Sequence, residues 1–229
     1  KTADEHGLTR EAMDAFAIES LTRAQRAIDE GLNQKEIAPV TIRTRRGEHT
    51  VSVDEQPHKA NLEKIPQLRP AFAENGTITP ANSSSISDGA SALLLASEQA
   101  VEAHGLTARA RIVAHSRNSL APEAFTLAPI GAAEEVLAKA GWTVADVDLW
   151  EINEAFAMVT MLTVDALKLD PTCVNVHGGA CAQGHPIGST GSRIIVTLMH
   201  ALEHYGKKRG VAALCIGGGE ATAVAIELV

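Results

Sequence analysis

Apolar residues recur at helical spacing from Met13 to Ile28, through Phe16, Ala17, Leu21 and Ala24, which predicts an amphipathic helix. Thr9 is placed to cap it, Glu11 suits its positive end, and Gly31 stops it. Residues 37–45 and 49–53 favour strand, and Arg46-Gly47 between them predicts a short hairpin. Residues 54–75 are polar and irregular, with Leu68 and Phe72 as candidate anchors. The Ser/Asn/Pro cluster at 77–88, TITPANSSSISD, predicts a loop. Residues 89–104 then carry a wide apolar band through Ala90, Leu93, Leu94, Leu95, Ala96 and Ala100. A helix apolar over so much of its girth is expected to be buried.

From Arg109 onward strand and helix patterns alternate. Strands are expected at 110–115, 147–152, 174–176, 211–216 and 222–228, with helices opened by Pro129, at 154–169 and within 187–205. The order β-α-β-α-β-α-β-β predicts an α/β layer fold. Gly217-Gly218-Gly219 leaves no room for a crossover helix, so the last two strands should pair antiparallel.

Composition narrows the picture. A chain of 229 residues suits one large domain or two smaller ones. Hydrophobic residues make up 45% and aromatics only 3%, so the core must be mostly Ala, Val, Leu and Ile. The net charge of −8 disfavours nucleic acid and anionic membrane as partners. Arg43, Arg45 and Arg46 form a local basic patch, which suits either a phosphorylated ligand or a solvated strand edge. Three cysteines, Cys173, Cys181 and Cys215, make no disulfide framework and fit a reducing compartment. No signal peptide or bilayer-length apolar run is visible, so the expected location is cytoplasmic. The first residue, Lys1, is compatible with a processed or truncated product.

Three segments at predicted strand ends carry candidate chemistry, the usual ligand position in α/β folds. In Asn153-Glu154-Ala155-Phe156-Ala157, the Asn153 amide could cap the next helix, orient a water or donate to an oxyanion. The glycine-rich run from His177 to Gly191, HGGACAQGHPIGSTG, permits close backbone approach and precedes a helix. It matches neither a P-loop nor the dinucleotide fingerprint. His177, Cys181 and His185 would share a helix face, but Gly178, Gly179, Gly184 and Pro186 oppose a continuous helix and no fourth ligand is evident; no metal is expected. In Cys215-Ile216-Gly217-Gly218-Gly219-Glu220, the thiol could be inert core. The following glycines also leave N–H groups free for a ligand oxygen and give a substrate access to the sulfur.

NEAFA, GGACAQGHPIGSTG and CIGGGEA, in this order, resemble the thiolase family. TITPANSSSISDGA and TREAMDAFAIES resemble further family segments, so the likeness covers essentially the whole chain. The resemblance implies an α/β, thiolase-like fold, a layered βαβαβαββ half with part of an inserted loop domain. Residues 1–86 would be partial loop domain, 87–106 a buried helix of the N-terminal half, and 107–229 the C-terminal half. It implies an acyl-CoA C-acyltransferase that condenses acyl-CoA or cleaves 3-ketoacyl-CoA, as in fatty acid metabolism. No cofactor is implied; coenzyme A is a substrate moiety. His185 would deprotonate a nucleophilic cysteine and donate to the thioester oxygen. Cys215 would act as acid and base, given a thiol pKa brought down by its site. Asn153 would hold a water in the first oxyanion hole, and the Gly217 N–H would join the second. Ser84 would contact pantetheine, Phe156 would pack beside the acyl pocket, and Phe125, with Thr126, stands where many members carry Met-Gly.

The chain also departs from the family pattern. The family's nucleophile lies in an N-terminal CxSG-like segment that is absent here, and neither Cys173 nor Cys181 is suitably placed to replace it. The resemblance therefore implies a missing N-terminal half, in the same or another chain, and inactivity of these residues alone. It also implies a homo-oligomer, dimer or tetramer. A condensing ketoacyl synthase of the same superfamily is disfavoured by CIGGG. A non-catalytic acyl-CoA-binding or scaffold subunit is the alternative from another class.

Overall fold

The computed structural model describes residues 1–229. Helix α1 (Arg10–Asp29) begins where expected, and the Thr9 side chain accepts a hydrogen bond from the Ala12 N–H. Its apolar face, with Met13, Ala17, Leu21 and Ala24, is buried. Strands β1 (Val40–Thr44) and β2 (Gly47–Val51) form the predicted antiparallel hairpin. Every hairpin residue is exposed except the half-buried Val51, and Arg43 pairs with Glu48 across it at 2.7 Å. In this structure the basic patch is thus a solvated strand edge and turn.

The remainder is built on a four-stranded sheet. Its strands are β3 (Ala110–Ser119), β4 (Leu149–Ile152), β5 (Arg209–Ile216) and β6 (Glu220–Leu228), in the order β3-β6-β5-β4. The last two strands pair antiparallel, as their short connection requires, and β4 runs parallel to β5. Side-chain alternation sends successive residues to opposite faces. Trp150, Ile152, Val211, Ala213, Ala221, Ala223 and Ala225 meet helix α3 (Ala128–Ala140) on one face. Leu149, Ala212 and Ile226 meet helix α5 (Thr190–His204) on the other. The small alanines let each helix sit close to the sheet. No helix is long and apolar enough to cross a membrane.

Four expectations need correction. Residues 89–97 form no helix: helix α2 covers only Glu98–His104, and none of its residues is buried. Leu94 and Leu95 are 85% and 71% exposed. Three consecutive leucines with no facing apolar surface gain nothing from burial, and a helix without tertiary packing is marginal. Hydroxyl contacts hold this segment at one point, with Ser91 Oγ 2.9 Å from Ser189 Oγ and 2.5 Å from Ser192 Oγ. Residues 174–176 form no strand; Val174 makes a single bridge to Trp150 because Asn175 turns into a positive φ. Helix α4 (Ala157–Leu167) starts later than predicted, because Ala157 N–H is held by the Asn82 carbonyl at 2.9 Å. Finally, Ile65 rather than Phe72 anchors the irregular stretch: it is buried on α1, whereas Phe72 is 78% exposed.

Candidate active site

The site is organised by the neighbouring ends of β4 and β5. Ile152 is paired with Ala213, and Asn153 N–H continues the ladder onto the Ala213 carbonyl at 2.9 Å. Asn153 is buried and does not cap α4, whose N-cap is Phe156. Its Nδ2 lies 3.4 Å from His185 Nε2, while its Oδ1 has no partner in the protein. A loop that is polar in sequence delivers both groups to one place. Ser84 N–H donates to the Ala155 carbonyl at 3.1 Å, and His185 N–H donates to the Ser85 carbonyl at 3.0 Å. The loop thereby stitches the Asn153 turn to the His185 turn. Asn82 fixes it from below, donating to Asp14 Oδ1 at 2.9 Å.

His185 follows Gly184, whose φ of +87° favours glycine, and a side chain there would overlap Ser87 Oγ. Burial holds the imidazole below its ordinary pKa of 6.5, and the Arg193 guanidinium adds to the effect. A neutral imidazole can accept a proton. Its Nδ1 is 2.7 Å from the buried Thr190 Oγ1 at the start of α5.

Cys215 sits near the end of β5, opposite Ala221 and two residues beyond the carbonyl that holds Asn153. No hydrogen bond joins its sulfur to Asn153 or His185. Burial pushes Cys215 up to about 11, and no cation in this chain offsets that cost. A thiol so raised is neutral near pH 7. The turn after it closes through Gly219 N–H to the Ile216 carbonyl at 3.2 Å, with Gly217 exposed.

Phe125 and Phe156 meet edge to face, with ring centroids 6.1 Å apart. Ser84 Oγ donates to the Ala155 carbonyl at 3.1 Å. Sequence reading missed the support beneath the site. Glu154 is buried and receives Ser20 Oγ at 2.7 Å, Asn175 Nδ2 at 2.8 Å and Cys181 N–H at 3.0 Å. Burial raises its pKa, and those three donors oppose the rise. An acidic residue next to Asn153, just beyond a buried strand, was the only available signal, since its partners come from distant segments.

A four-stranded sheet with helices on both faces, and an amide at one strand end facing an imidazole, defines an α/β protein with a candidate acid-base site. Known proteins narrow that class. The thiolase N-terminal domain matches residues 1–99 and the thiolase C-terminal domain matches residues 106–228. The chain belongs to the thiolase family. It is 48% identical to an acetyl-CoA acetyltransferase of Yarrowia lipolytica over 97% of its own length and 56% of the relative's. The structure superposes on the Bacillus anthracis acetyl-CoA acetyltransferase with a TM-score of 0.95 at 40% identity, covering 99% of this chain and 58% of the other. A thiolase from Ascaris suum in complex with coenzyme A gives a TM-score of 0.92 at 42% identity, over 100% and 58%. The chain thus spans a little over half the length of the relatives it matches.

Proposed function

We propose that these residues supply the acid-base side of a thiolase-type acyl transfer between coenzyme A thioesters. The observation that carries this reading is the meeting of Asn153 Nδ2 and His185 Nε2 at 3.4 Å, on turns 32 positions apart. His185 Nε2 takes the proton of a cysteine thiol supplied by sequence outside these residues. The thiolate attacks an acyl-CoA carbonyl, the acyl–sulfur bond to CoA breaks, and CoA leaves as a thiol. Asn153 Oδ1, which has no protein partner, accepts from a water that stabilises the thioester oxygen together with the imidazole. In condensation Cys215 moves the Cα proton of the second acyl-CoA; in cleavage it moves the proton of the CoA thiol. The Gly217 N–H faces the second oxyanion. Phe125 and Phe156 form a wall of the acyl pocket, and Ser84 contacts pantetheine. The 56–58% coverage of relatives and the complex of one relative with coenzyme A support this assignment. Residues 1–86 act as part of a loop domain and 107–229 as one catalytic half, within a cytoplasmic homo-oligomer.

The test is acyl capture. These 229 residues should take no covalent acyl group from acetyl-CoA, whereas a protein completed by the segment that carries the nucleophilic cysteine should, as read by intact mass. Cys215→Ser in the completed protein should abolish condensation while leaving CoA binding in place. If the completed protein binds acetyl-CoA but is never acylated, the chain belongs to a binding or scaffold subunit instead.

A further inference from the structure

Thr190 offers one hydroxyl proton to two neighbours. Its Oγ1 lies 3.0 Å from the Pro186 carbonyl and 2.7 Å from His185 Nδ1. The Pro186 carbonyl, which also receives the Ser189 and Thr190 N–H groups, only accepts; when the hydroxyl proton points to it, the Thr190 lone pairs face the ring. In that arrangement His185 Nδ1 carries the hydrogen and donates to Thr190 Oγ1. A second contact is compatible with this: the Asn153 NH₂ group, 3.4 Å from Nε2, can donate to a bare Nε2. Thr190 is fully buried, so water does not compete for either bond.

We propose that Thr190 is a positioning residue that locks His185 in the Nδ1–H tautomer, with the Nε2 lone pair aimed at the reaction centre. The proposal rests on the acyl-transfer reading and deepens it. With Nδ1 satisfied, the only nitrogen able to take a thiol proton is Nε2. Once it has done so, the same Nε2–H is the donor to the thioester oxygen. The ring therefore serves as base and then as oxyanion donor without turning over. Thr190 holds the resulting imidazolium in place by accepting from Nδ1–H throughout. The methyl group of Thr190 fixes the hydroxyl against the start of α5, which a freely rotating serine does less firmly.

The tautomer is read directly by long-range ¹H–¹⁵N correlation spectra of the 229-residue chain labelled with ¹⁵N-histidine, with His185→Gln identifying the signal. The wild type should show His185 as Nδ1–H at pH 8. Thr190→Val, nearly the same shape without the hydroxyl, should shift the tautomer ratio toward Nε2–H by about five-fold or more, the scale of one net hydrogen bond. Thr190→Ser should restore most of the wild-type ratio. In the completed protein, Thr190→Val should lower the acylation rate with little change in KM. A wild-type Nε2–H signal, or an unchanged ratio in Thr190→Val, overturns the proposal whether or not the protein transfers acyl groups. A correct tautomer pattern without any acylation would instead sink the functional reading and leave the lock standing.

Discussion

Ser20 and Glu154 lie 134 positions apart and share a 2.7 Å hydrogen bond in the interior. This bond fastens α1 to the residue next to Asn153. The other Glu154 contacts extend the same anchor to Asn175 and to the glycine-rich loop through Cys181 N–H. One buried carboxyl therefore fixes three chain segments around the site.

Gly179 must stay small for this to work. A Cβ there would overlap the Glu154 carboxyl. Gly179→Ala should cost about 1–3 kcal/mol of stability by overpacking, read from the urea midpoint. An unchanged midpoint would show that Glu154 can move away freely.

Glu151 should make stability fall as pH rises. Burial pushes its pKa up to about 8 from 4.5; Arg193, 3.8 Å away, opposes the shift, and Glu36 and Glu154 reinforce it. Below pH 4.5 the carboxyl is protonated in both folded and unfolded chains. Between 4.5 and 8 only the unfolded chain ionises, so stability is lost at up to about 1.4 kcal/mol per pH unit. Glu151→Gln should remove that slope and exceed wild-type stability at pH 8. Parallel pH curves for the two proteins would contradict the shift.

His177 acts in the opposite sense. Burial pushes its pKa down to about 4, with His204, Arg26 and His200 adding to the effect, and neither ring nitrogen has a partner. The unfolded ring titrates at 6.5, so its contribution is complete above that pH and fades as pH falls through 4. The loss should reach about 3 kcal/mol near pH 4. His177→Asn should flatten the acid limb of a denaturation series run from pH 7 to 4. A wild-type limb as flat as the variant's would remove His177 from the account.

Cys215 should resist alkylation. With a pKa near 11 and a buried sulfur, its thiolate is scarce at pH 8. Iodoacetamide at pH 8 should modify the half-buried Cys173 first, with peptide mass spectrometry locating the adduct. Prompt labelling of Cys215 would show that its site lowers the pKa after all.

Much of this was legible in the sequence where local pattern and burial agree. Thr9, the apolar face of α1 and the closing β-hairpin follow from spacing and turn length alone. Asn153 was legible as a candidate because it follows a strand, and His185 because it sits among glycines that permit close approach. Residues 89–97 misled because apolar content fixes a tendency to be buried, not the shape adopted. Val174 misled for a different reason, since the positive φ of Asn175 ends any strand there. Glu154 and Thr190 were not legible as supports because their partners are set by tertiary placement. Thr190 reads as an ordinary helix start until its hydroxyl is seen between a carbonyl and an imidazole.

The leucines at 94 and 95 carry a practical consequence. Adjacent exposed leucines form a bare greasy patch on which other copies can stack. Material limited to these residues should cloud on concentration and be rescued by mild detergent, and replacing both leucines with lysine should keep it clear without touching the chemistry at the strand ends.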